Sequence, residues 1–177
     1  MFLQRLLKPG PARTVGATLY AASVAQARTP SLYAALGAPD TPNGRFEVYT
    51  LHVLLVLTRL RAIGAPAAAT SQAFFDAYLS GLDNGLRELA VGDLSVGKTM
   101  RKLGEAFYGR GKALEAALAA LPDRAPLDAL LGRTVFDGAA AANAGPLGDY
   151  LLAARAALAA ASPATLLAGE ILWPALA

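Results

Sequence analysis

From Arg45 to Ile63 apolar residues occupy nearly every side of a helical wheel, with Leu51-His52-Val53-Leu54-Leu55-Val56-Leu57 at the centre. A helix that is apolar all round must bury all its faces, so the rest of the chain has to wrap around this one. The run is bracketed by Glu47 and Arg59 and falls well short of the roughly 20 apolar residues a bilayer span requires. A buried central helix is the expectation, with the other segments as its shell.

Prolines and glycines mark those segments. Pro9-Gly10-Pro11 opens a helix that places Val15, Leu19 and Val24 on one side, and Thr29-Pro30 starts a short one through Leu32, Tyr33 and Leu36. Residues 37–44 (GAPDTPNG) read as a loop, and Gly64-Ala65-Pro66 ends the central helix. Residues 71–91 carry Phe75, Leu79, Leu82, Leu86 and Leu89 at spacings of three and four, the stripe of an amphipathic helix. A second stripe, Val96, Met100, Leu103, Phe107 and Leu114, runs along residues 95–120 and stops at Leu121-Pro122-Asp123. Shorter helices are expected over 126–131 and 147–161, with irregular chain over 132–145 and a last turn from Pro163 before Trp173-Pro174. Hydrophobic residues make up 55% of the chain, much of it alanine, the best helix former. The pattern predicts an all-α, single-domain bundle of about six to eight helices. It spans residues 11–177 behind a tail, residues 1–10.

Residues Gly92–Thr99 (GDLSVGKT) match the phosphate-loop pattern G-x-x-x-x-G-K-[ST] letter for letter. That motif needs a strand before it and a helix after its lysine, so that backbone amides converge on phosphate. The amphipathic helix of residues 71–91 stands where the strand should be, and no apolar run ending in Asp follows to hold Mg²⁺. The alternative to a small nucleotide-binding protein is a corner between two helices. In it Gly92 ends the first helix and Asp93 or Ser95 caps the second.

Catalysis finds little support. The chain has no cysteine and a single histidine, His52, which on an apolar helix reads as a satisfied core residue. Asp76 and Asp83 share a helix face but nothing converges on them. No metal or cofactor site is expected. The net charge of +3 falls in two places: Arg5, Lys8 and Arg13 near the N-terminus, and residues 93–112, where five cations face two acids. The aromatic–basic interleaving of an RNA-binding sheet is missing. Residues 14–27 imitate a secretory signal but are too polar in the middle, and read as a retained helix. Residues 1–8 put Phe2, Leu3, Leu6 and Leu7 on one face beside Arg5 and Lys8. Two readings stay open for them: a segment lying in a bilayer interface, serving a lipid-surface scaffold, or a frayed terminus.

Four pieces of the chain carry a resemblance: residues 24–33 (VAQARTPSLY), 44–61 (GRFEVYTLHVLLVLTRLR), 71–76 (SQAFFD), and 86–102 (LRELAVGDLSVGKTMRK) with 107–110 (FYGR). Through them the chain resembles the ubiquinol–cytochrome c chaperone family, assembly factors of respiratory complex III, from about Tyr20 to Leu121. The resemblance implies that the position of Thr99 is not held to Ser or Thr across the family, so a hydroxyl for bound Mg²⁺ is not a requirement there. The resemblance implies an all-helical chaperone, without enzyme activity or cofactor. Its client would be newly made cytochrome b or another complex III subunit. It leaves open a small partner subunit and contact with an anionic membrane surface. With the short N-terminus and Ala/Arg-rich composition, it implies a bacterial protein in the cytoplasm, peripheral to the inner membrane.

The charged residues around the corner then become the candidate partner surface. Asp83 and Arg87 stand on the first helix, and Asp93, Lys98, Arg101, Lys102, Tyr108 and Arg110 on the second. Such a face suits polar loops of a client or acidic headgroups. The apolar helices beside it suit a groove for a client helix.

Overall fold

The computed structural model describes residues 10–88, 93–138 and 144–176; the side chains of residues 93–95 are outside that description. Within it the chain is all-helical. α1 spans Pro11–Ala27, α2 Pro30–Ala34, α3 Pro42–Ile63, α4 Ala68–Glu88, α5 Asp93–Ala119, α6 Ala125–Thr134, α7 Gly145–Ala160 and α8 Pro163–Leu167. A 3-10 turn, Ala65–Ala67, links α3 to α4.

α3 is the central element the sequence calls for. Val48, Leu51, Val53 to Leu57 and Leu60 are all buried, as are Glu47, Thr50 and His52. α1, α4 and α7 pack against it from different sides. It begins three residues before the expected Arg45, because Pro42 takes the first helical position and the Thr41 hydroxyl accepts from the Gly44 amide at 3.1 Å. Pro42-Asn43-Gly44, read as loop, therefore forms its first turn. It ends at Gly64, whose φ of 80° suits a residue without Cβ.

Two helices turn a different face inward than their large apolar residues suggest. In α1 the buried positions are Gly16, Leu19, Ser23 and Ala27, while Val15 and Val24 are only half-buried. In α4 the buried face is Thr70, Phe74 and Tyr78; Phe75, Leu79 and Leu82 flank the core. The reason is the close crossing of α1 and α4, where a Cβ at Gly16 would stand 2.6 Å from the Phe74 backbone nitrogen. Small residues set that contact, and the helices rotate to bring them together. α5 keeps its expected stripe: Val96, Phe107 and Leu114 are buried, Met100 and Leu103 half-buried.

His52 lies fully buried in α3. One ring nitrogen, Nδ1, is 2.8 Å from the Val48 carbonyl, and Nε2 is 2.7 Å from the Tyr150 hydroxyl. The carbonyl can only accept, so Nδ1 carries the proton and the hydroxyl donates to Nε2. Gln26 Nε2 in turn donates to the Tyr150 oxygen at 2.9 Å, and the Trp173 ring of the C-terminal segment stands edge-on to the imidazole. Burial lowers the imidazole pKa to about 4, against the Val48 carbonyl, which raises it. A histidine in the unfolded chain titrates near 6.5, so between about pH 6.5 and pH 4 the unfolded state binds more protons. This contribution is fully present above about pH 6.5 and is lost as pH falls through that window, by at most about 1.4 kcal/mol per pH unit. Urea unfolding at stepped pH should show the decline, and His52→Gln should remove it.

Candidate functional site

The phosphate-loop string settles first. Residues 93–99 lie in the first two turns of α5, so Gly97 and Lys98 sit within a helix that began at Asp93. From Gly97 onward the backbone amides bond to carbonyls one turn back and cannot cradle phosphate. The segment upstream is the helix α4, and no strand occurs among the described residues. Gly92, and the expected caps at Asp93 and Ser95, lie outside the described positions and side chains. The second glycine of the string is thus a solvent-facing residue of a helix.

The eight candidate surface residues separate into groups. Asp83 and Arg87 form an i,i+4 ion pair on α4, 2.7 Å apart. Lys98, Arg101 and Lys102 are exposed on the first turns of α5. Asp93 heads α5, its side chain among those not described. Tyr108 is 62% exposed, one of the large apolar side chains left open to solvent. Arg110 goes the other way: its Nε and Nη2 both donate to the carboxylate of Glu47 on α3, which is 1% exposed. Two residues apart on a helix turning about 100° per residue, Tyr108 and Arg110 point to nearly opposite sides. The structure therefore ties Arg110 to the core and presents Tyr108 outside.

Aromatic packing fixes that arrangement. Phe107 is seated against α4, with ring centroids 4.9 Å from Tyr78 and 5.5 Å from Phe75, and Tyr108 stands edge-on to it at 6.0 Å. The Tyr78 hydroxyl, near the Glu47–Arg110 pair, has its pKa pushed up to about 12, chiefly by burial, with Thr50 opposing. Among the described residues neither the Tyr78 nor the Thr50 hydroxyl makes a hydrogen bond; Thr50 opposes the shift because its hydroxyl can donate to the ionised phenolate.

Around Tyr108 two concave surfaces meet. One, of about 370 Å³, runs between α3, α5 and α7 over Leu54, Leu57, Phe107, Leu114 and Leu118. The other, of about 610 Å³, lies between α3 and α4 over Leu57, Leu60 and Phe75. Both are bordered by Leu57, Arg61 and Tyr108. The first exists because α5 approaches α3 through side chains: Arg110 reaches Glu47, and Leu54 lies under Gly111. Its rim carries Arg61 from α3, Lys112 and Glu115 from α5, and Arg155 from α7. Of these, only Lys112 belongs to the basic stretch over residues 93–112 that the sequence shows. Arg61 and Arg155 join it through the fold, from helices distant in sequence. The arrangement offers hydrophobic recesses, an exposed aromatic ridge and a cationic border, the features by which one chain can dock on another. Among the described residues there is no group of acids and histidine able to hold a metal, and no helix long and apolar enough to cross a membrane.

A family model described as ubiquinol-cytochrome C chaperone matches residues 34–173. The chain is also similar to the crystal structure of the Cbp3 homolog from Brucella abortus: 35% identity, 99% of this chain and 98% of that one covered, TM-score 0.84. No curated protein matches the chain.

Proposed function

We propose an assembly chaperone's function for this chain because it belongs to the ubiquinol–cytochrome C chaperone family. In this reading it holds a newly made subunit of respiratory complex III, cytochrome b being the client, and keeps its apolar segments covered until assembly proceeds. The observation that carries the reading is the Tyr108 ridge between two apolar recesses. Exposed aromatics beside hydrophobic pockets are where binding energy concentrates in protein interfaces, and helix-in-groove docking uses such surfaces. No chemistry is required of the site, so the protein acts by binding alone.

The exposed cations Lys98, Arg101 and Lys102 lie along the same helix as the ridge. We read them, with Asp83, Arg87 and Asp93, as the polar border of the client surface. They also suit a peripheral position on the cytoplasmic side of the inner membrane, where anionic headgroups attract cationic side chains by about 1 kcal/mol each. A small partner subunit would add to this surface.

Tyr108→Ala should cut client recovery several-fold, since truncating an interface aromatic commonly costs about 2 kcal/mol or more. The measurement is co-purification of cytochrome b with the tagged full chain, alongside assembled cytochrome b read by difference spectroscopy. Lys98→Glu with Lys102→Glu should lower the same two readouts. Unchanged recovery and assembly in both variants would overturn this placement of the surface.

A further inference from the structure

We propose that the Tyr108 groove selects acidic amphipathic segments: its occupant is a helix whose apolar residues fill the two recesses and whose carboxylates meet Arg61, Lys112 and Arg155. The inference rests on reading this groove as the client-docking surface, and it names the chemistry of what docks there.

Three observations lead to it. First, Arg61, Lys112 and Arg155 come from three different helices and border one recess, with Glu115 the only acid on its lining. Second, all three are exposed, and no hydrogen bond or ion pair engages them among the described residues. Several other arginines are occupied: Arg45 pairs with Asp40, Arg110 with Glu47, and Arg124 with Asp128 and Asp149. Arg59 donates to the Leu158 and Ala161 carbonyls. Arg61, Lys112 and Arg155 thus stand as three unengaged cations around an apolar floor. Third, the two recesses share Leu57, Arg61 and Tyr108, so one occupant can place an apolar side chain on either side of the ridge.

These features together favour one kind of partner. Cations beside an apolar floor keep less of their hydration when the groove fills, so an uncharged occupant leaves them uncompensated, and a cationic one is repelled. A carboxylate gains charge-assisted hydrogen bonds there, bidentate with an arginine. A lipid surface fits less well, because the apolar groups line concavities and a flat plane of headgroups would not reach them.

The test uses the full chain and three fluorescein-labelled amphipathic helical peptides, identical along a Leu/Phe stripe and bearing Glu, Gln or Lys beside it. Fluorescence anisotropy should show the Glu peptide binding about tenfold tighter than the Gln peptide at low salt, given three weak charge pairs. It should bind tighter still relative to Lys. The triple variant Arg61→Glu/Lys112→Glu/Arg155→Glu should reverse the order and prefer the Lys peptide, a gain that a misfolded chain cannot produce. Tyr108→Ala should weaken all three peptides alike. Equal affinities for the three peptides, or an order unchanged in the triple variant, would overturn the inference. Flotation with phosphatidylglycerol vesicles that needs the three cations, alongside charge-blind peptide binding, would also overturn it by assigning them to a lipid. Client co-purification separates the two levels. If Tyr108→Ala abolishes it while peptide charge has no effect, the docking surface stands and the acidic selectivity falls. If Tyr108→Ala leaves it intact, the docking surface itself falls.

Discussion

Replacing Arg110 with alanine should destabilise the protein by about 3–5 kcal/mol, the loss expected when one partner of a buried ion pair is removed. The reason lies on the other side of the pair. Glu47 is 1% exposed and its carboxylate is held by two guanidinium nitrogens, with Arg110 itself 27% exposed. Without them a carboxylate remains in a core where, among the described residues, no hydrogen bond to it other than those from Arg110 is found. The pair as a whole need not be strongly stabilising, because desolvation offsets much of its attraction. Glu47→Leu with Arg110→Met should therefore recover most of the loss, and urea unfolding of the two single variants and the double variant completes the cycle. An Arg110→Ala loss below about 1 kcal/mol would mean that Glu47 is compensated by other means. The pair also sets the rotation of α5. Turning Arg110 toward α3 is what sends Tyr108 outward, so the double variant should keep its fold yet recover less client than the wild type.

That pair shows where sequence reading stops. A cation at position 110 looks the same as one at 98 or 101 when only its own helix is considered. Its partner lies 63 residues earlier, on a helix whose buried acid has no local signature. The groove was hidden for the same reason, since its border is assembled from α3, α5 and α7. The architecture was much more legible. Proline and glycine positions bounded the helices to within a few residues, and the all-round apolar run of α3 announced the centre. The stripe Val96, Phe107 and Leu114 correctly oriented α5. Context also disarmed the phosphate-loop string, because its neighbours are helical. The phases of α1 and α4 were not legible, since hydrophobic size is a poor guide when the deciding contact is between small residues. Val15 and Val24 outweigh Gly16 on any hydropathy scale, yet it is Gly16 that allows the helices to approach.

Gly16→Leu should for that reason cost about 3 kcal/mol or more, at or beyond the upper end for overpacking a well-packed site. A Cβ at residue 16 would stand 2.6 Å from the Phe74 nitrogen and 2.8 Å from both the carbonyl carbon and the Cβ of Ala73. Most of what it meets is backbone, so no rotamer change relieves the contact and the helices must separate. Separation would loosen Phe74 and Tyr78, both fully buried, and the Tyr20 hydroxyl, which accepts from Tyr49 at 3.0 Å. In a chain of this length the loss corresponds to a fall in Tm of roughly 6–12 °C. Gly97→Ala provides the contrast. A Cβ there meets nothing within 4 Å, and in an exposed helix alanine is favoured over glycine by about 1 kcal/mol. Thermal unfolding should move down for the first substitution and up for the second. Equal shifts for both would show that helix propensity outweighs the α1–α4 contact. Opposite shifts would assign the two glycines their different roles: one holds two helices together, and the other, inside the phosphate-loop string, is replaceable.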